Sequence, residues 1–385
     1  MTGSIYLDHN ATSPPTRGAA EELRSAFDEL WGNPSSTHER GRRAREALER
    51  ARRLVAGTAG ASPDEVVFTS GGSEADALAI RGPVEAGAVD RIVISAFEHP
   101  AIMDTAAAMA ARFGIELRQL PIDPHGLVIL DALSDALEGS RRALVSVMLA
   151  QNEIGTLQDI AAVSRIAHAR GAIVHTDAVQ AYGKISVSIR DLDADMMSIS
   201  AHKMGGPPGA GALVVRGDLP LAPYCYGGGQ EGFRRQGTEP APALIAFGWA
   251  ADRLGDRMRD WVGADVLRDR FEQQLSGRLE AVKILGAGAP RLANTSAFVV
   301  ANIEGGAIAA ACQQRGLALS AGSACHAGGH GASPIAEALA LEPPYHGGLV
   351  RVSAGPRTGW DDLERALEIL VAAVDACPRT GARGR

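Results

Sequence analysis

The sequence predicts an α/β fold, in which a large domain has a mostly parallel sheet flanked by helices and a smaller α+β domain completes the chain. Short apolar runs alternate with alanine-rich segments between residues 66 and 215, and this alternation ends near residue 237. Such alternation is typical of a doubly wound parallel sheet. A chain of 385 residues is also too long for one compact core. We therefore expect a large domain over residues 15–254 and a small domain formed by residues 1–14 and 255–385.

The chain begins with the strand-like run Ile5–Leu7 and a turn at residues 8–15, followed by helical patterns at Thr16–Leu30 and Thr37–Gly60. The β-like apolar runs that we expect to be strands of the large sheet are Val66–Thr69, Arg91–Ser95, Glu116–Leu120, Arg142–Met148, Ile173–Thr176, Met196–Ser200 and Gly211–Val215. A helical segment at about 240–280 leads out of this pattern. The segments that predict the small domain are the strands Ser296–Ile303 and Gly348–Val352 and the helices Gly306–Arg315 and Asp361–Cys377.

Composition excludes several classes of protein. Hydrophobic residues make up 46% and charged residues 22% of the chain, the proportions of a soluble globular enzyme. A net charge of −7 argues against direct binding of nucleic acid or of an anionic membrane. The sequence has neither a membrane-spanning apolar run nor a signal-like N-terminus, and its four cysteines form no CxxC pair. We expect a cytoplasmic protein without a disulfide framework.

Lys203 lies at the centre of residues 195–211, the segment whose sequence says most about the chemistry of the protein. Only three lysines occur in the chain, against thirty-five arginines. The apolar run ending at Ser200 predicts a buried strand that delivers His202 and Lys203 to a Gly/Pro-rich bend. A desolvated lysine there would be a neutral amine part of the time, as imine formation with a carbonyl cofactor requires. A loop lysine that caps a turn explains this stretch equally well.

Other polar residues also follow predicted strands, where the ligands of a doubly wound sheet bind. Gly72 and Ser73 lie at the start of a helix, where free N–H groups can bind a phosphate, although many such turns only connect elements. Asp177, with Gln180 three residues later, could pair with a pyridinium nitrogen, and a helix cap is the commoner role of such an aspartate.

His99 could stack on an aromatic cofactor or move a proton, and Asn152 could donate to a phenolate oxygen. A structural histidine and a turn-forming asparagine are the alternatives. The segment 234–238, which ends at Thr238, offers hydroxyl and guanidinium groups for a phosphate, or is a flexible connection. Arg351 ends a strand-like run and suits bidentate capture of a carboxylate.

Cys325 lies among small residues in the tract 320–333. A structural cysteine is usually buried among large apolar groups, so this composition favours a nucleophile. Cys325, His326 and His330 could instead bind a metal. We expect no metal site, because three ligands on one Gly-rich loop have no second cluster.

Taken together, these motifs resemble those of the cysteine desulfurases, in the class V aminotransferase branch of pyridoxal-phosphate enzymes. The motifs that match, in family order over nearly the whole chain, are Tyr6–Thr12, Gly32–His38, Phe68–Glu74, Glu98–His99, Asn152–Gln158, His175–Lys184, Ser198–Pro207, Gly227–Glu231, Gly322–Cys325 and Val350–Gly355. The Gly-Ser-Ala-Cys sequence separates this family from related aminotransferases that lack the nucleophile. The resemblance implies fold type I of the pyridoxal-phosphate enzymes.

The resemblance also implies roles for individual residues. Lys203 would form the Schiff base with pyridoxal 5′-phosphate, and Cys325 would carry a persulfide. The residues that would bind the cofactor are Gly72, Ser73, His99, Asn152, Asp177, Gln180, Ser200, His202 and, from the other subunit of a homodimer, Thr238. His99 would also be catalytic, stacked on the ring, and Asn33 and Arg351 would bind the substrate. The substrate would be L-cysteine, and a sulfur-acceptor protein of unknown identity would receive the sulfur.

The sequence departs from the family pattern at several positions: Gln151, Ala75–Ala77, Gln236 and Gly355–Thr358. The last change shifts an arginine by one position and concerns the substrate pocket. Two other functions use the same features. A selenocysteine lyase or another amino-acid β-lyase would need the same cofactor site, and a non-enzymatic scaffold would not need Lys203 or Cys325.

Overall fold

The structure is a computed structural model that describes residues 4–140, 142–322 and 334–379. The helices of these residues are α1 (Arg17–Glu29), α2 (Glu39–Ala59), α3 (Gly72–Glu85), α4 (Pro100–Phe113), α5 (Leu130–Leu137), α6 (Ile160–His168), α7 (Ala241–Ala251), α8 (Leu254–Arg259), α9 (Ala264–Arg278), α10 (Gly305–Gln314), α11 (Pro334–Ala338) and α12 (Trp360–Ala376). The strands are β1 (Ile5–Tyr6), β2 (Val66–Thr69), β3 (Arg91–Ser95), β4 (Glu116–Leu120), β5 (Ala143–Ser146), β6 (Ile173–Asp177), β7 (Met196–Ser200), β8 (Gly211–Val215), β9 (Val282–Ile284), β10 (Thr295–Val300), β11 (Leu317–Ala318), β12 (Ser320–Ala321) and β13 (Val350–Ser353).

A seven-stranded sheet in the order β2-β8-β7-β6-β5-β3-β4 forms the centre of the molecule. Strands β3 to β7 are parallel where they pair, and β8 is antiparallel to both of its neighbours, β2 and β7. The carboxyl ends of β2, β3, β5, β6 and β7 therefore lie at one edge. The predicted α/β fold with a mostly parallel sheet is confirmed.

Alternate residues of the strands enter two hydrophobic layers, as the two-residue period of a strand requires. Phe68, Val145 and Met197 belong to one layer, and their neighbours Val67, Leu144 and Met196 belong to the other. Helices cover both layers: α2 and α7 contribute to the first, and α3 and α4 to the second. The near-continuous apolar sequence of these strands follows from burial on both faces.

A second sheet, in the order β12-β13-β10-β9, is antiparallel and packs with α9, α10 and α12 around its own hydrophobic cluster. Ile5 and Leu7 join this cluster, and β1 pairs in parallel with β11. The start of the chain thus associates with its C-terminal part, although the domain boundary at residue 254 stays a prediction. No helix of the described residues is long and apolar enough to span a membrane.

Apart from shifts in the bounds of some strands, the structure differs from the expected elements in the segment after residue 240 and in several short strands. The helical segment expected at 240–280 is divided into α7, α8 and α9, and α9 begins after Gly263, which has a φ of 81°. The short strands β9, β11 and β12 were not expected, because two or three residues are too few for a periodic pattern.

Candidate active site

A cavity of about 370 Å³ lies at the carboxyl edge of the large sheet. It is bounded by loops that follow the parallel strands and by the segments around β12 and β13 of the second sheet. The predicted site residues that line it are Gly72, Ser73, His99, Asn152, Asp177, Gln180, His202, Lys203 and Arg351. The residues from Gly72 to Lys203 meet in one space because successive parallel strands end at the same edge, and Arg351 joins them from β13 of the second sheet.

Lys203 ends a short 3₁₀ turn that directly follows β7. Its Nζ atom donates to the main-chain oxygens of Asn10 at 2.5 Å and Ala11 at 2.7 Å. Burial, followed by the positive charge of Arg351, lowers the pKa of Lys203 to about 8. The amine is therefore far easier to deprotonate near neutral pH than an exposed lysine.

Asp177 is the last residue of β6 and is buried. Its Oδ1 atom accepts a hydrogen bond from the main-chain N–H of Val179 at 2.8 Å, so it also stabilises the turn after the strand. Burial raises the pKa of the carboxyl, whereas the nearby His99 and Lys203 charges lower it. A cationic group in the cavity would thus favour the ionised form of Asp177.

His99 precedes α4, and its Nδ1 atom accepts from the main-chain N–H of Ala101 at 3.1 Å. Burial lowers the pKa of the imidazole. With Nδ1 acting as an acceptor, the proton of the neutral ring lies on Nε2. The structural role considered for this residue, here the capping of α4, and its place in the cavity therefore coexist.

The first turn of α3 borders the cavity at Gly72 and Ser73. A Cβ atom on Gly72 would lie 2.7 Å from Cγ2 of Val179, so only glycine fits without a shift. The hydroxyl of Ser200, whose Cβ lies 3.7 Å from that same position, is buried and has no hydrogen-bond partner among the described residues. Free helix N–H groups and an unpaired hydroxyl form a site that suits an anion.

His202 also lines the cavity, and its Nδ1 atom is 3.1 Å from Oγ1 of Thr12. Burial, followed by the charge of Lys203, lowers the pKa of His202 to about 4. The ring is therefore neutral near pH 7 and can donate one hydrogen bond without adding charge.

Arg351 lies within β13 and lines the cavity from the second sheet. Its guanidinium donates to the main-chain oxygen of Asn152 at 2.9 Å, to Asp8 at 2.6 Å and to the hydroxyl of Ser320 at 2.9 Å. Its Nε atom is buried without a partner among the described residues. These contacts fix the orientation of a planar cation that can bind a carboxylate.

Asn10 connects the parts of the site, and its role was not assigned from the sequence. Its main-chain oxygen accepts from Gln180 at 2.8 Å as well as from Lys203, and its side-chain oxygen accepts from Lys184 at 2.6 Å and from Asn294 at 3.1 Å. Burial lowers the pKa of Lys184 well below its usual value. The motif at residues 6–12 indicated that this segment is functionally important, but it did not predict the hydrogen-bond partners of Asn10.

Two further buried carboxyl groups, Asp76 and Glu98, lie near Asp177 and were also not anticipated. Glu98 accepts from the hydroxyl of Ser95 and from the main-chain N–H of Met148 at 2.9 Å. Burial raises the pKa of Glu98 to about 8 and raises that of Asp76 well above its usual range. Glu98 is thus mostly neutral near pH 7, and Asp177 is the carboxyl that the neighbouring cations favour as an anion.

Three predicted site residues within the described ranges are not among those that line the cavity of the single chain: Asn33, Thr238 and Ser200, which lies behind the first turn of α3. Asn33 is exposed, and its side chain accepts from the main-chain N–H of Ser35 at 2.9 Å. Thr238 is exposed as well, as its predicted role toward another subunit requires. Their participation stays a prediction.

The predicted nucleophile Cys325 lies outside the described residues, as do His326 and His330. Within the described ranges, Cys225, Cys312 and Cys377 are free thiols, and no group of three or more potential metal ligands occurs.

Comparison with known proteins identifies the class of this α/β chain. The sequence profile described as Aminotransferase class-V matches residues 5–365. A cysteine desulfurase of Cereibacter sphaeroides is 38% identical over 374 residues, which are 96% of this chain and 96% of the relative. An IscS-like cysteine desulfurase of Mycobacterium tuberculosis is 37% identical over 377 residues, again 96% of each chain.

The fold agrees with these relatives. The X-ray structure of a NifS-like protein from Rickettsia africae superimposes with a TM-score of 0.88 at 29% identity and covers 97% of this chain and 100% of its own. The chain therefore belongs to the class V aminotransferases and, within them, to the cysteine desulfurase family. The resemblance that the sequence motifs indicated is confirmed.

Proposed function

We propose that this protein is a pyridoxal 5′-phosphate-dependent cysteine desulfurase that converts L-cysteine to L-alanine. The sulfur would form a persulfide on Cys325 and pass to an acceptor protein. The observation that carries this proposal is the single cavity in which Lys203, with a pKa lowered to about 8, lies with Asp177 and Arg351. These side chains provide an amine, an anion and a carboxylate-binding cation in one space.

The described residues fit the cofactor. The first turn of α3 and the unpaired Ser200 hydroxyl would bind its phosphate, together with Ser73 and His202. Asp177 would hold the ring nitrogen protonated, His99 would stack on the ring, and Asn152 and Gln180 would contact the ring's phenolic oxygen. When bound, the cofactor withdraws electrons from the substrate's α-carbon.

Side chains of the protein would bind the substrate, move its protons and accept its sulfur. Arg351 would bind the substrate carboxylate, and Asn33 would contribute from the loop after α1. Lys203 and His99 would move the proton of the α-carbon, because a low pKa lets the amine accept and return a proton near pH 7. The Cys325 thiolate would attack the substrate sulfur, and the thiolate is the reactive form of cysteine.

We further propose a cytoplasmic homodimer in which Thr238 reaches the phosphate of the partner's cofactor. Tyr226 and Phe233 support a subunit contact, since 87% and 70% of their surfaces are exposed in the single chain and both lie near Thr238 in the sequence. The chemistry of the site does not distinguish among sulfur acceptors, which include an iron–sulfur scaffold and thiolation systems for tRNA or DNA.

The test is the absorption spectrum of the purified protein with pyridoxal phosphate, followed by assays for alanine and bound persulfide after L-cysteine is added. We expect a visible band that Lys203→Ala abolishes and that Lys283→Ala, at an exposed lysine, retains. Alanine formation should disappear in Cys325→Ala and persist in Cys225→Ala, a change at an exposed free thiol. A band without alanine from cysteine would assign the enzyme to another amino-acid substrate, with selenocysteine tested next.

A further inference from the structure

Glu153 lines the cavity and has no role in the proposed function so far. Its main-chain N–H donates to the side-chain oxygen of Gln151 at 2.5 Å, and the next N–H, of Ile154, donates to that oxygen at 2.8 Å. The backbone that carries Glu153 is therefore held in place. Gln151 is one of the positions at which the sequence departs from the family pattern.

The carboxyl group of Glu153 is not held in the same way. Its Oε2 atom is buried and has no hydrogen-bond partner among the described residues. A Cβ atom on Gly322 would lie 2.6 Å from this oxygen, so the oxygen packs against the backbone of Gly322, another cavity residue. An unpaired buried carboxylate is costly. The arrangement therefore favours a carboxyl that keeps its proton until a group in the cavity takes it.

The electrostatic surroundings agree with this geometry. Burial raises the pKa of Glu153 to about 7, and the charge of Arg351 opposes the rise. The other titratable groups that line the cavity are Asp76, His99, Asp177, His202 and Lys203. A group with a pKa near 7 can both donate and recover a proton under physiological conditions.

The proposed reaction requires such a donor. When the Cys325 thiolate attacks the substrate sulfur, the S–S bond forms and the Cβ–S bond breaks, and the electron pair of the broken bond goes to Cβ. A proton must then reach Cβ to complete the methyl group of alanine. That proton replaces the one lost when the Cys325 thiol ionised, so the step needs no oxidant or reductant.

The other cavity groups are less suited to this step. Arg351 does not release its proton. His202 has a pKa of about 4 and is therefore neutral near pH 7. His99 and Lys203 are assigned to the proton of the α-carbon in the proposed function.

Asp76 and Glu153 both have an unpaired buried oxygen among the described residues. The charges that act on Asp76 are those of Asp177 and Glu98, whereas the charge that acts on Glu153 is that of Arg351, the proposed substrate-binding residue, so Glu153 is the better-placed donor.

We propose that Glu153 donates the proton that completes the methyl group of alanine. The Oε2–H bond breaks as the Cβ–H bond forms, and the resulting carboxylate recovers a proton from water. This inference rests on the proposed function.

The experiment compares wild type, Glu153→Gln and Glu153→Asp as holoenzymes, with Glu280→Gln as the control at an exposed carboxyl. A rapid-quench assay measures persulfide and alanine separately. In Glu153→Gln we expect one equivalent of persulfide at the wild-type rate and alanine formation slowed at least about 100-fold, because a general acid typically contributes a factor of this size. Glu153→Asp should recover part of the rate.

Two further measurements separate proton donation from a structural role. In wild type, alanine formation should slow as the pH rises through about 7, and this dependence should be absent in Glu153→Gln. Infrared spectroscopy should detect the protonated carboxyl in wild type at pH 6 and its loss in Glu153→Gln, independently of turnover.

Equal alanine rates in wild type and Glu153→Gln would overturn the inference. So would equal slowing of persulfide and alanine formation in Glu153→Gln, since the residue would then act before the Cβ–S bond breaks. Failure of wild type to form persulfide from L-cysteine would instead refute the proposed function.

Discussion

Replacement of Arg351 by lysine tests how the cavity recognises its substrate. The guanidinium is buried and oriented by Asn152, Asp8 and Ser320. Lysine keeps the positive charge but loses the planar arrangement of donors that binds a carboxylate through two parallel hydrogen bonds. The change therefore removes geometry rather than charge.

The expected size of the effect follows from the contacts that are lost. A hydrogen bond to a charged group contributes about 1.5–3 kcal/mol. Loss of one such bond to the substrate carboxylate should raise KM for L-cysteine about 10- to 140-fold, since about 1.4 kcal/mol corresponds to a factor of ten. The change in the cofactor's absorption band should be small.

The assay compares kcat/KM for L-cysteine with that for cysteamine, which lacks the carboxylate. Wild type should strongly prefer cysteine, and Arg351→Lys should lose most of this preference. The matched control is Arg315→Lys, because Arg315 is exposed and, among the described residues, its guanidinium donates to a main-chain oxygen of α10, that of Ala311 at 2.8 Å. If kcat/KM falls by the same factor for both substrates in Arg351→Lys, the role of Arg351 is to position Asp8, and it does not bind the substrate carboxylate.

Two other predictions concern the cofactor site and its supporting carboxyl groups. Gly72→Ala places a methyl group 2.7 Å from Val179, and overpacking of this kind costs about 1–3 kcal/mol. A titration should therefore show that pyridoxal phosphate binds about tenfold more weakly to this variant. The double variant with Val179→Ala should recover binding, and no recovery would exclude crowding as the cause. Folding raises the pKa of Glu98 to about 8, so the folded state binds more protons than the unfolded state between about pH 4.5 and 8, and stability falls as pH rises through this window. Urea unfolding at pH 5 and 8 should show a loss in wild type about 2–4 kcal/mol greater than in Glu98→Gln, and equal losses would contradict the assignment.

Much of the fold could be predicted from the sequence because the strands of the large sheet, except the edge strand β4, are buried on both faces. Their apolar runs are therefore continuous and end abruptly at polar residues. The expected strands at 66–69, 91–95, 116–120, 196–200 and 211–215 have the observed bounds. The expected strand at 142–148 is shorter, at Ala143–Ser146, although the apolar sequence continues to Met148, which lines the cavity. The apolar pattern does not show where the pairing of β5 with β6 ends.

The same reasoning located the cavity residues that directly follow these strands, including His99, Asn152, Asp177 and Lys203. It required only that parallel strands end at one edge. It could not assign Asn10 as the connection between Lys203 and Gln180, because these contacts join residues 170 to 193 positions apart. Contacts at such separations depend on how the N-terminal segment packs against the sheet.

The sequence by itself determined the fold class, the family and the chemical types of the residues at the site, because periodicity, strand ends and motif order are local properties of the chain. Only the tertiary structure decided the pKa values of those residues and which of their polar atoms have no hydrogen-bond partner. Burial lowers the pKa of Lys203 and raises those of Glu98 and Glu153. The unpaired oxygens of Ser200 and Glu153 likewise depend on which distant groups fill the space around them. Desolvation and hydrogen-bond partners arise from packing between segments remote in sequence, and they determine what each side chain can do.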